Sequence, residues 1–204
     1  MMRQYREARA SLTPDTLLLF RLGDFYELFE EDAERGAALL GITLTKRHDM
    51  PMAGIPFHAA EGYLTKLLAR GYKVAICEQL EAPKPGKLVK RGVTRILTPG
   101  TVLEEGQLEA GQNHFILALD ADKRGARAAW LDLSTGKFVL ASSAEATDLL
   151  AAFASIAPRE YLVPEGLADR LDHELELSAF LQETEVLLGQ ATRTERPEFD
   201  FDPR

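Results

Sequence analysis

The chain has 204 residues, 46% of them hydrophobic and 27% charged, which suits a globular protein with one large domain or two smaller cored ones. No apolar run reaches the roughly 18 to 20 residues of a membrane-spanning helix, and the opening MMRQYREARA lacks the apolar segment of a secretory signal. A single cysteine, Cys77, leaves no internal disulfide, so a cytoplasmic chain is expected.

The net charge of −8 is uneven. Residues 1 to 113 carry 15 basic and 15 acidic side chains, whereas residues 114 to 204 carry 9 and 17, so the whole excess belongs to the second half. Within the first half, Lys84, Lys87, Lys90, Arg91 and Arg95 fall in the stretch KPGKLVKRGVTR. That is either a local basic strip for an anionic partner or an ordinary solvated loop.

Along the chain, residues 2 to 12 predict a helix, stopped by the Thr13-Pro14-Asp15 turn cluster. LLLFRL follows as a short apolar strand, ended by Gly23-Asp24. From about Tyr26 to Leu40, Phe29, Ala33, Gly36, Ala37 and Leu40 recur at helical spacing, with Glu30, Glu31, Glu34 and Arg35 on the other face and Gly41 at the stop. ITLT is a strand; KRHDM and PMAGIP, with their prolines and glycine, read as an irregular, fixed loop. Residues 58 to 70 form a helix with Tyr63, Leu64, Leu67 and Leu68 on one side. YKVAICEQ is a strand with Cys77 as a core thiol, the basic stretch a loop, and VTRILT a strand turned by Pro99-Gly100. Strands and helices alternate, so a mixed sheet flanked by helices is expected.

LEEGQLEAGQN has no periodicity and reads as a linker. Beyond it, HFILALDAD, ARAAWLDL and KFVLASS are three strands, the last two joined through Ser134-Thr135-Gly136 as a three-residue hairpin loop. Ser142 and Glu145 have capping-box spacing ahead of an apolar helix through Ala154. REYLVP is a strand and EGLADRL begins a helix. The order β-β-β-α-β-α is that of a ribonuclease-H-like fold. The tail TRTERPEFDFDPR shows no packing pattern, and the chain reads as cut short there. The fold class is therefore α/β: an N-terminal mixed β-sheet domain flanked by helices, then a ribonuclease-H-like α/β domain truncated at its end.

Neither GxxxxGK[ST] nor GxGxxG occurs, so no nucleotide-phosphate loop is read in these residues. A GxSxG elbow is absent, and His48, His58, His114 and His173 lack ligand spacing with Cys77. No catalytic residue and no metal site are expected. Asp120, Asp122 and Asp132 fall at the ends of neighbouring strands, where a two-metal nuclease of this fold class gathers carboxylates. Equally, Asp is favoured at turns, and the further helical carboxylate such a nuclease needs does not stand out. Asp24 with Glu27 lacks the lysine that another class of metal nuclease places nearby.

Phe25 and Glu27, in GDFYELF, raise the sharpest alternative. Phe25 continues the apolar stripe of Phe29 by one helical turn, which makes it core. Asp24 as an N-cap would instead leave Phe25 on an exposed first turn. In an extended conformation residues i and i+2 point the same way, so a ring and a hydrogen-bonding group would share one target. That pairing suits a probe that stacks on a base from the minor groove, where apolar wedges unstack and kink a duplex at a cost of about a few kcal/mol per step.

GDFYELF at 23–29, PMAGIPFHA at 51–59, AICEQ at 75–79 and TRILTPGT at 94–101 resemble, in order and spacing, the N-terminal part of the bacterial MutS mismatch-recognition family. LDLSTGKF at 131–138 carries the resemblance into the second half. The resemblance implies a mismatch-binding domain at 1–106, a linker at 107–113 and a connector domain at 114–204, ribonuclease-H-like and without nuclease activity. It implies that Phe25 stacks on a mispaired or unpaired base of double-stranded DNA, that Glu27 hydrogen-bonds to that base, and that the duplex bends. Members that do not repair mismatches tend to lack this pair, so repair is favoured over recombination. Phosphate contacts are expected from Lys84, Lys87, Lys90, Arg91 and Arg95, with Lys46 and Arg47 as further candidates. The connector is expected to pass the DNA-bound state to MutL. ATP and magnesium belong to the family's ATPase domain, outside these residues, and no cofactor is expected here. The family's dimer relies on those further parts, so these residues alone are expected to be monomeric.

Overall fold

The apolar run Leu17 to Phe20 has no solvent exposure, because it lies in an inner strand of a six-stranded sheet. The structure is a computed structural model and describes residues 1–82, 88–101 and 113–202. It divides into two compact units, Met1–Pro99 and Gly100–Arg204.

In the first unit the strands are β1 (Thr16–Leu22), β2 (Phe25–Phe29), β3 (Thr45–Arg47), β4 (Met50–Pro56), β5 (Lys73–Gln79) and β6 (Arg91–Leu97), in the spatial order β3-β4-β2-β1-β5-β6. β1 and β5 are parallel and every other neighbouring pair is antiparallel. Helix α1 (Met2–Ala10) lies on one face. It buries Tyr5 edge-on against Phe20 and Phe29, with ring centroids 5.7 and 5.1 Å away, and the Tyr5 hydroxyl donates to the Phe29 carbonyl at 2.9 Å. Helices α2 (Glu30–Leu40) and α3 (Ala60–Leu68) touch each other and pack on β2, β4 and β5. α2 comes close because Gly36 has no side chain: a Cβ there would sit 2.7 Å from Cδ2 of Leu28 on β2.

The helical stripe predicted from Tyr26 begins only at Glu30. Phe25–Phe29 is a strand because Gly23, at φ 57°, and Asp24 form a two-residue turn that returns the chain onto β1, setting Phe25 opposite Leu22. Its backbone then pairs with β1 on one edge and β4 on the other, which satisfies groups that a helix would otherwise have bonded internally. Asp24 is accordingly no N-cap; its carbonyl accepts the Phe57 N–H at 2.9 Å. PMAGIP, expected as a loop, is most of β4. Ala53 and Ile55 are buried while Gly54 is exposed, a strand's alternation, and Pro56 is tolerated at the strand end. ITLT contributes only Thr45 to a strand, the short β3.

The second unit has a five-stranded sheet of β7 (Phe115–Asp122), β8 (Gly125–Asp132), β9 (Lys137–Ser143), β10 (Glu160–Pro164) and β11 (Thr192–Arg196), in the order β11-β10-β7-β8-β9. The first three form an antiparallel meander, β10 runs parallel to β7, and β11 parallel to β10, the ribonuclease-H-like arrangement. Helices α4 (Leu150–Ile156), α5 (Leu167–Leu171) and α6 (Leu175–Leu187) enclose a core that includes Leu117, Leu119, Phe153, Val163, Phe180 and Leu181.

Three local expectations change here. The tail is not patternless: TRTER is β11, held by its backbone ladder and by the Thr194 hydroxyl donating to Glu160 Oε1 at 2.6 Å, neither of which leaves an apolar period. The capping box expected from Ser142 and Glu145 does not form, since no side chain caps either helical turn that follows; instead Ser143 Oγ accepts the Glu145 N–H at 3.1 Å and bonds Asp148 at 2.7 Å, closing the turn that leads into them. The β8–β9 loop spans Leu133 to Gly136, since Asp132 still pairs with Lys137. Of the linker expected at 107–113, only its last residue lies among the described residues.

Candidate nucleic-acid interface

Cross-strand pairing assigns each residue of the first sheet to a face. Phe29 pairs with Met52, and Met52 with Thr45. Side chains alternate along a strand, so Phe25, Glu27, Gly54 and Arg47 share the face of Phe29. Phe20, opposite Glu27, and Cys77, opposite Phe20, lie there too.

Phe25 and Phe29 are the same residue type on the same face of one strand, yet Phe29 is fully buried under α1 while Phe25 is 46% exposed. Full burial of such a side chain is worth about 1.5 to 3 kcal/mol, so the fold forgoes about half of that at Phe25. Glu27 lies between them. Burial pushes its carboxyl above the ordinary range, and the Arg47 guanidinium acts in the opposite direction. Oε2 of Glu27 is buried without a hydrogen bond, and Nη1 of Arg47 stands 3.8 Å from it. Directly across the ladder is Gly54. A Cβ there would stand 3.6 Å from Cγ of Glu27 and 3.9 Å from Cδ1 of Phe25, so the glycine leaves a side-chain-free strip beside both. A half-exposed ring, a carboxyl with a buried oxygen left without a donor and an open strip together form a surface able to stack on a flat group and hydrogen-bond its edge.

The basic candidates do not act as one strip. Arg47 shares the face of Phe25 and Glu27; Lys46, its neighbour on β3, points to the other. Arg91 reaches the face of Phe25 and Glu27 but is tied down: its Nε donates to the Arg21 carbonyl at 2.6 Å, its Nη1 to the Val89 carbonyl at 3.0 Å, and its guanidinium carbon lies 5.5 Å from the Phe20 ring centroid. Arg95 pairs with Ile76, which pairs with Leu19, and so belongs to the face opposite Phe25. Lys90 is exposed just before β6. Lys84 and Lys87 lie outside the described residues. Gly54 and the contact between Arg47 and Glu27 were not found by sequence reasoning. Both depend on β4 being a strand, and the period of Ala53 and Ile55 was the signal that its prolines obscured.

The acidic residues of the second unit do not converge. β7 and β8 are antiparallel, with Phe115 opposite Asp132 and Asp120 opposite Arg127, so Asp120 and Asp132 are at opposite ends of the ladder. Asp120 is paired with Arg127 at 2.7 Å and with Arg170, and Asp122 with Arg127 at 3.0 Å. Asp132 closes its own loop, accepting from the His114 N–H at 3.0 Å, the Ser134 hydroxyl at 2.7 Å and the Thr135 hydroxyl at 2.8 Å. Burial works to raise its carboxyl, but those bonds prevail and hold it at about 2. Among the described residues no group of three or more His, Cys, Asp or Glu is placed to hold a metal ion, and no helix is long and apolar enough to cross a membrane.

Comparison with known proteins agrees with this layout. A family model described as MutS domain I matches residues 1–106, and one described as MutS domain II matches residues 114–200. The DNA mismatch repair protein MutS of Myxococcus xanthus (strain DK1622) is 44% identical over 200 residues, covering 96% of this chain and 22% of that protein. The protein of that name from Nitratidesulfovibrio vulgaris (strain DP4) is 48% identical over 162 residues, covering 76% of this chain and 18% of its own length. That of Rhizobium meliloti (strain 1021) is 45% identical over 180 residues, covering 81% and 19%. The chain thus spans about a fifth of the length of these curated relatives. With a family model over each half, the chain belongs to the MutS family and comprises its domains I and II.

Proposed function

We propose that this chain recognises mismatched or unpaired bases in double-stranded DNA at the start of mismatch repair. Phe25 stacks on the displaced base from the minor-groove side, Glu27 accepts or shares a hydrogen bond with it, and the duplex bends at the site. The observation that carries this is the 46% exposure of Phe25 on a strand where Phe29, four residues on, is fully enclosed.

Selectivity follows from deformation energy. A Watson-Crick pair resists unstacking, while a flawed pair has already lost part of its pairing energy, so the same wedge costs less there. Glu27 sharpens the difference, because an anion brought among phosphates is penalised unless a displaced base offers it a hydrogen bond. Support for that role comes from the direction in which burial already moves its carboxyl.

Domain II acts as the connector to MutL, a role compatible with Phe138 and Leu140 standing exposed on the edge strand β9. ATP hydrolysis and dimerisation reside in further domains of the full-length family proteins, which work in the bacterial cytoplasm. Fluorescence anisotropy with matched and single-base-bulge duplexes tests the core of the proposal. Phe25→Ala is expected to remove the preference for the bulge, a loss of about tenfold if stacking contributes the usual 1 to 3 kcal/mol per base, with the thermal midpoint kept. A preference unchanged by Phe25→Ala would refute it.

A further inference from the structure

On the face that carries Glu27, Arg91 is held over Phe20 by its bonds to the Arg21 and Val89 carbonyls, and Arg47 is the cation that approaches the carboxyl. β1 presents Phe20 and Leu22 there, β4 presents Met52, Gly54 and Pro56, and β3 brings the Arg47 guanidinium; among the described residues Arg47 is the only charge acting on the Glu27 carboxyl. At 3.8 Å the contact exceeds hydrogen-bonding reach, and the carboxylate oxygen that faces Arg47 is buried with no donor. Arg47 keeps 45% of its side chain in solvent. A guanidinium held by charge alone is readily drawn to an anion that accepts two of its N–H groups in a fork, as a phosphate does.

We propose that Arg47 is a positioning and selectivity residue for the Phe25 and Glu27 pair: it is the counterion of Glu27 in the free protein and passes to a backbone phosphate when the bound duplex presents a displaced base. This rests on the mismatch-binding role of that pair. In the free protein Arg47 makes the half-buried carboxylate tolerable and keeps it aimed across Gly54. On a bulged duplex the displaced base becomes the partner of Glu27 and frees Arg47 for the phosphate. On a matched duplex Glu27 finds no other partner, Arg47 stays with it, and the phosphate contact is not made. Phosphate engagement by Arg47 is thereby coupled to the inspection carried out by Glu27.

The test has a free and a bound arm. In the free protein, NMR titration of the Glu27 side-chain carboxyl is expected to give a higher midpoint in Arg47→Gln than in the parent, with Arg47→Lys close to the parent. With DNA, anisotropy followed from neutral pH into the acid range is expected to show Arg47→Gln lowering the bulge-over-matched affinity ratio. The drop should be about two- to fivefold, the size of a partly exposed ion pair, with the decline of that ratio on acidification moved to higher pH. Arg47→Lys, a cation without the fork, is expected to restore the pH profile and only part of the ratio. Should the Gln variant fold poorly, the parent supplies the same information: cross-relaxation between the Arg47 and Glu27 side chains is expected to disappear on saturation with the bulged duplex.

An unchanged Glu27 midpoint in Arg47→Gln overturns the proposal, as does cross-relaxation that persists on the bulged duplex. So does an equal loss of affinity for both duplexes with the pH profile intact, which is the mark of a plain phosphate contact. Phe25→Ala run in parallel separates the two levels. If it leaves the ratio unchanged, the mismatch-binding role itself fails; if it changes the ratio and Arg47→Gln does not, only the role of Arg47 falls.

Discussion

Phe25 and Glu27 each cost their own fold something: one leaves apolar surface in water, the other takes an anion partly out of it. The Glu27 cost has a testable sign. Its folded carboxyl is raised above the unfolded value, first by burial and against the pull of Arg47, so the folded state favours the protonated form. Stability from this group is complete below the ordinary glutamate value of about 4.3 and is lost as pH rises through the folded value. Glu27→Gln, uncharged throughout, is therefore expected to melt a few degrees above the parent at pH 7 and to lose that advantage in acid below about 4. Differential scanning calorimetry at the two pH values decides it; a variant less stable than the parent at pH 7 would contradict the assigned cause. That Phe25 and Glu27 share a face was legible from GDFYELF, since a ring and a carboxyl two apart point one way on an extended chain. The counterion was not, because β3 lies beyond β4 and no local pattern announces which cation two strands away will arrive.

At the level of elements, period was read correctly where packing is one-sided and misread where two periods coincide. Phe25 and Phe29 are four apart, which fits a helix stripe, and an even number apart, which fits one face of a strand. The choice was made by β4, whose prolines had argued for a loop. The β3–β4 hairpin shows how little local preference decides there. His48 and Asp49 form its two-residue turn with φ of 47° and 64°, a conformation that favours Asn-Gly and costs an L-residue about 1 to 2 kcal/mol. Replacing the turn by His48→Asn with Asp49→Gly is expected to stabilise the protein by about 1 kcal/mol, read as a higher urea midpoint with an unchanged slope. A lower midpoint would mean that the His48 or Asp49 side chain contributes a contact worth more than the strain. The ribonuclease-H-like order was legible through β10 from alternation alone. β11 was not, since its residues are polar and its reason for being a strand is the exposed edge of β10.

At the scale of the whole molecule, charge and core divide along the same line. The first unit carries 15 basic and 12 acidic side chains together with Phe25 and Glu27, and the second, with 9 and 20, carries the net negative charge. Each also holds one natural reporter: Cys77, buried in the first, and Trp130, the single tryptophan, packed against the core of the second. Asp132→Ala is expected to lower the melting midpoint seen by Trp130 fluorescence and to leave that seen by Cys77 thiol labelling unchanged. The folded Asp132 carboxyl is held down at about 2, below the ordinary value of about 3.9, so its stabilisation is present above that value and is lost as pH falls through the folded one. The gap between parent and variant should therefore close over that acid range; a gap that persists there would assign the effect to packing. Lastly, β2 is bonded to a neighbour along both edges, which makes it a stiff mount for Phe25. A cantilevered loop would yield when pressed against stacked bases, but a strand clamped on two sides passes the load into the sheet, so the compliance in any such encounter belongs to the nucleic acid.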